Sequence, residues 1–179
     1  MGSALESKII ASAENKQKTP VDISIRLIEA FKILRKYNID TLGVFLDSIK
    51  DMDEKGLWRL DRELCLWYSF LFLHHCGQAT NDKNIAIEAA KAFYEYLDGE
   101  VLDKNLLKVS VQDKIMIRFK PYSEALNKSD PTWYLSKELG RIILGEEYKS
   151  IENMISLGNY VDYISKQISD IVSRVLESY

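Results

Sequence analysis

Reactive side chains are scarce in this chain. Its 179 residues hold two histidines, two cysteines, three prolines and eight glycines, and each shortage removes a class of chemistry. The glycines are scattered, so there is no Gly-x-Gly-x-x-Gly, no P-loop and no Gly-x-Ser-x-Gly, and no phosphate cradle or nucleophile elbow is expected. Cys65 and Cys76 lie eleven positions apart on one predicted helix. That separates them by about 16 Å along the axis, too far for a disulfide. Two free thiols suit a reducing compartment.

Long apolar runs are missing too. The most apolar stretch, Cys65 to Leu73, is far shorter than the roughly 20 residues that span a bilayer, so no membrane span is expected. The first 20 residues lack the apolar core of a secretory leader, and Glu6 stands at the sixth position, where a myristoylation motif has Ser or Thr. The expected location is therefore cytoplasmic. Nor is there an excess of positive charge: Lys and Arg number 24 against 27 Asp and Glu, for a net charge of −3. Nucleic acid is not expected as the main partner, because phosphate binding needs a concentrated cationic face. Such a face could arise only locally, by folding.

Apolar residues at helical spacing are what the chain does have. In Leu57–Gly77 a first row holds Leu60, Leu64, Trp67 and Leu71, and a second holds Leu66, Phe70 and Leu73. A helix apolar nearly all round must be enclosed. The pattern predicts an all-α fold: a single-domain bundle of about six to eight helices over residues 1–179, packed around a central helix at about 57–76. Residues 1–19 form a terminal segment expected to fray.

Taken in order, Leu5, Ile9, Ile10 and Ala13 suggest a short amphipathic helix. Thr19-Pro20-Val21-Asp22 reads as a helix start, with a hydroxyl cap, a first-turn proline and a first-turn acid. That helix turns Ile23, Leu27, Ile28, Phe31 and Leu34 inward and should end near Asn38 in the left-handed region. Asp40 should cap a short helix carrying Leu42, Phe45, Leu46 and Ile49. Gly77 should terminate the central helix, and Asn81 or Asp82 should cap the next, Asn84–Leu97, whose alanines allow close approach to the central helix. Val101–Val109 has no clear pattern. Ile115, Ile117 and Phe119 alternate as in a strand, but Val111, Ile115, Phe119, Tyr122 and Leu126 fit a helix, expected from about Val111 to Asn127, bent or interrupted before Pro121. Ser110 and Asp113 resemble its capping box. Ser129-Asp130-Pro131 opens another helix with Leu135, Leu139, Ile142 and Ile143 inward, and Glu146–Ile155 is a further helix or a continuation past Gly145. Leu157, Val161, Ile164, Ile168, Ile171 and Val175 then make a heptad seam.

The candidate site residues are few. His74 and His75 stand side by side, and adjacent helical residues point about 100° apart, so the pair cannot easily ligate one metal. Leu71 and Phe72 occupy the positions three before them, where a helical di-iron site needs glutamates, and there is no His-Glu-x-x-His motif. No metal and no cofactor are expected. The plainer role is structural: one histidine hydrogen-bonded in the core, the other a cation at the helix C-terminus. Arg118 and Tyr122, one turn apart, could line a groove. Arg62, with Arg59 and Glu63 on the polar start of the central helix, could hold an anionic group or pair with acids such as Glu88 or Glu95. Trp133 and Tyr134, next to a helix start, are the better candidates for an exposed aromatic patch. These residues lead to two expectations. One is a non-catalytic helical module for protein–protein interaction or assembly, self-associating through the C-terminal heptad helix or binding another protein. The alternative is a small-ligand or nucleic-acid-processing protein with a pocket near His74, His75 and Arg118.

Overall fold

The computed structural model describes residues 19–47, 52–100, 111–145 and 150–178. Among them are seven helices and no strand: α1 Pro20–Arg35, α2 Asn38–Phe45, α3 Glu54–Ala79, α4 Lys83–Glu100, α5 Val111–Leu126, α6 Pro131–Ile143 and α7 Ile151–Glu177. The segment around Leu5–Ala13, the Val101–Val109 stretch, Ile49, Ser110 and the start of the Glu146–Ile155 segment lie outside the described residues.

α3 is the hub, touching each of the other six helices. From Leu64 to Phe72 every residue is buried, including Trp67, Tyr68 and the serine Ser69. Ser69 satisfies its hydroxyl locally by donating to the Cys65 carbonyl at 2.8 Å, which removes the cost of an unpaired buried donor. α4 packs most extensively on α1 rather than on α3. Phe31 is the reason: its ring meets Phe93 at 5.2 Å, Tyr96 at 5.4 Å and Phe72 at 5.6 Å, all edge-on, the arrangement aromatic quadrupoles favour.

The helix starts follow their local chemistry. Thr19 and Asp22 form a reciprocal capping box over α1, with Pro20 in the first turn. Asp53 accepts from the Gly56 amide at 2.7 Å, Asp82 from the Asn84 amide at 2.8 Å, Asp130 from the Trp133 amide at 3.0 Å and Ser150 from the Asn153 amide at 3.1 Å.

Several ends differ from expectation. Asn38 does not close α1 in a left-handed conformation; it is buried at the start of α2, where its side chain reaches Asp61. Asp40 lies in the first turn of α2 but does not cap it. Gly77 is inside α3, which runs two residues further to a cap at Thr80. The only positive φ among the described residues is at Gly145, 58°, and it stops the chain after α6. α5 runs unbroken through Pro121. Proline has no N–H to offer the Ile117 carbonyl, and Ile117 sits on the solvent side, where water can take that bond. Ile115 and Phe119 are buried while Ile117 is 66% exposed, which is helical spacing and settles the strand alternative.

On α7 the inward row is Leu157, Val161, Ile164, Ile168, Val172 and Val175. Ile171 is only half-buried, and Val172 takes its place. A straight helix drifts about 20° per heptad against a 3.5-residue repeat, so after two heptads the seam steps on by one residue. The row is buried within the chain, α7 packing on both α6 and α3, and is not open to a second copy.

Candidate functional site

α3 brings the two histidines to α7. His75 Nε2 lies 3.0 Å from Ser165 Oγ, and the His74 ring is 5.3 Å from that of His75. Both are half-buried rather than at a helix end, because α3 continues to Ala79. Burial lowers the pKa of both, and the neighbouring His74 adds to the effect on His75, which falls to about 4. Near neutral pH the pair is uncharged, so neither serves as the cationic C-cap expected from sequence. A serine within hydrogen-bond reach of an imidazole has the form of a nucleophile and base. Among the described residues neither histidine is bonded to a carboxylate that would orient it, and a base with a pKa near 4 has little pull on a serine proton.

His74 connects to the α5 candidates through one ring. Phe70 stacks on His74 at 6.2 Å and tilts against Tyr122 at 5.5 Å. Tyr122 is 1% exposed, so it lines no open groove, and its hydroxyl has no hydrogen-bond partner among the described residues. Burial, then the charge of Glu63, push its pKa up. Arg118 does project outward, and it pairs with Glu63 of α3.

The other candidates stand apart. Arg62 lies twelve residues before His74, about 18 Å along the helix, with its guanidinium over the Trp58 ring at 4.6 Å from the centroid. Trp133 is 45% exposed at the start of α6, whereas Tyr134 packs against the core, so the exposed pair reduces to one aromatic. No group of three or more metal-ligating side chains comes together among the described residues, and none of their helices is long and apolar enough to cross a membrane.

One polar cluster has no sequence signature. Asp61 on α3 accepts from Arg35 at 2.8 Å and from Asn38 at 3.0 Å, and Arg35 also donates to Tyr96 at 2.6 Å. Burial lowers the Arg35 pKa, but the bonds to Asp61 and Tyr96 and the charges of Cys65 and Asp61 together outweigh it and hold the guanidinium above its ordinary value. Four helices meet there, and its partners are 23 to 61 residues apart in sequence, so only the fold assembles it. These bonds tie α1, α2, α3 and α4 together.

The molecule is thus an all-α bundle wrapped around one apolar helix, with polar contacts between helices and no reactive constellation among its described candidates. Compared with known protein families, curated proteins and solved structures, the chain matches none.

Proposed function

We propose that this chain is a helical protein–protein interaction module that associates with a second copy of itself through the outward face of α7. The observation that carries this reading is a row of large apolar side chains left outside a well-packed core. Ile151 is 80% exposed, Ile155 57% and Tyr163 45%, spread over about 120° of the outward surface of α7. On the adjoining α2, Phe45 meets the Tyr163 ring at 5.9 Å, and Val44 is 81% exposed. Exposed apolar groups in a row, flanked by charges, are the usual mark of a contact surface. One helix face paired about a two-fold axis satisfies itself. The buried seam of the same helix supplies rigidity instead of the contact.

Light scattering after size-exclusion chromatography tests the proposal. The wild type is expected to show a mass above the 20.7 kDa of one chain. Ile151→Glu with Ile155→Glu should return it to one chain without lowering the melting temperature. A wild type that remains a single chain at high concentration removes the self-association. A pocket shared by His74, His75 and Arg118 has weaker support, because Phe70 stacks between His74 and Tyr122.

A further inference from the structure

The outward face of α7 is ordered in its charges as well as in its apolar groups. At about 100° per residue, Asn159 points almost directly away from the buried row that runs from Leu157 to Val175. Ile155 and Tyr163 stand one turn before and after it, and Glu152 and Lys166 two turns before and after it. All five are exposed, and all point within about 40° of the direction of Asn159. Lys166 donates to Asp162 of its own helix at 2.7 Å, but its side chain is 73% exposed and open to a second acid. Read outward from Asn159, the strip therefore presents apolar groups on both sides and charges of opposite sign.

We propose, resting on the reading that α7 self-associates, that two copies of this helix lie antiparallel across a two-fold axis passing through Asn159. Such an axis sets each residue against the one equally far beyond residue 159 on the second copy. Ile155 then meets Tyr163 of the second copy, Glu152 meets its Lys166, and both contacts occur twice. The Asn159 amide meets its own copy, and an amide carries both the donor and the acceptor that an identical group needs. Ile151 falls at the edge of the contact, against the stem of Gln167. Charge selects this register over its neighbours. Sliding one helix by a turn moves the axis to residue 157 or 161, which sets Glu152 against Asp162 or Asp170, acid against acid. A parallel, in-register pair opposes every charge to its own copy. Exposed ion pairs add little affinity, but like charges penalise the wrong arrangements, so Glu152 and Lys166 choose the register while the apolar groups supply the contact. A second copy carries the complementary order by symmetry, which is why the occupant is this chain.

Disulfide capture and charge reversal test the register on the full chain. Cys65 and Cys76 are buried, so an introduced surface thiol reports alone. Under mild oxidation Asn159→Cys should give a band at twice 20.7 kDa on a non-reducing gel. It should form about tenfold faster than that of Asp170→Cys, which lies about 16 Å from the axis along the helix and cannot reach its own copy. In sedimentation equilibrium Lys166→Glu should raise the dimer Kd about tenfold, because two like-charge contacts replace two opposite ones. Adding Glu152→Lys should return Kd to within about twofold of wild type. If Lys166→Glu fails to fold by circular dichroism, Glu152→Lys alone makes the same like-charge contact and carries the comparison. A wild type that remains a single chain removes the self-association and this register with it. A wild type that dimerises overturns the register alone if Asn159→Cys is captured no faster than Asp170→Cys. The register also falls, with self-association left standing, if the double reversal binds as weakly as the single one.

Discussion

Two buried tyrosines on facing helices show how much a single hydroxyl decides. Tyr68 and Tyr160 place their hydroxyl oxygens 2.9 Å apart inside the core, and burial raises the pKa of both well above the ordinary phenol. Each hydroxyl therefore depends on the other. Tyr68→Phe strands the Tyr160 group and should cost about 1–3 kcal/mol in urea denaturation. Tyr122 is the reverse case, a hydroxyl with no partner among the described residues. Tyr122→Phe should leave stability unchanged or raise it by about 1 kcal/mol, and a loss as large as that of Tyr68→Phe would mean that the hydroxyl is satisfied after all. Ion pairs divide in the same way. The side chains of Arg35 and Asp61 are 19% and 28% exposed, those of Lys166 and Asp162 73% and 53%. Asp61→Ala takes the carboxylate away from a half-buried guanidinium and should cost about 2 kcal/mol. Lys166→Ala should change stability by less than about 0.5 kcal/mol. Equal losses would mean that burial has no bearing on what these pairs contribute.

Among the helices, α7 separates what binds the fold from what faces outward. Ile168 is fully buried and Ile155 is 57% exposed on the same helix. Ile168→Ala should therefore cost about 2–4 kcal/mol of unfolding free energy, and Ile155→Ala almost none; a comparable loss from both would show that the outer row is also core. This division was legible in the sequence as far as periodicity reaches. The apolar spacing identified α3 as the central helix and placed α1, α4, α6 and α7 around it, and the cap-then-proline signals at Thr19 and Asp130 marked two helix starts. Ends were harder to read. Gly77 and Asn38 are residues that can end a helix, but the packing of their neighbours, not local preference, decides whether they do. Pro121 suggests a bend or an interruption because an isolated helix loses a bond there, whereas burial of Phe119, Tyr122 and Ala125 on either side keeps α5 continuous. The Asp61 cluster and the partner of Arg118 were not legible, since each joins residues from helices far apart along the chain. The side-by-side histidines were found from sequence, but the change in their chemistry comes from α7, which brings Ser165 to His75.

For the molecule as a whole, that histidine contact links α3 to α7 and ties global stability to pH. His75 has its pKa lowered from 6.5 to about 4, and that of His74 is lowered too. A basic group whose pKa is depressed by folding takes its proton more readily in the unfolded chain. Its contribution is therefore complete above pH 6.5, declines as the pH falls from 6.5 toward 4, and declines no further below that. Both rings are only half-buried, so the loss attributable to His75 should be about 1–2 kcal/mol after solvent screening is allowed for. Carboxylates bonded in the folded state also weaken the molecule in acid, and a variant separates the two effects. His75→Gln can keep a bond to Ser165 but cannot titrate. Urea unfolding at pH 7.5 and pH 4.5 should show the wild type losing about 1–2 kcal/mol more than His75→Gln across that interval. If the two lose the same amount, the histidine pair does not couple acid to the packing of α7 on α3, and the carboxylates alone set how the bundle responds to pH.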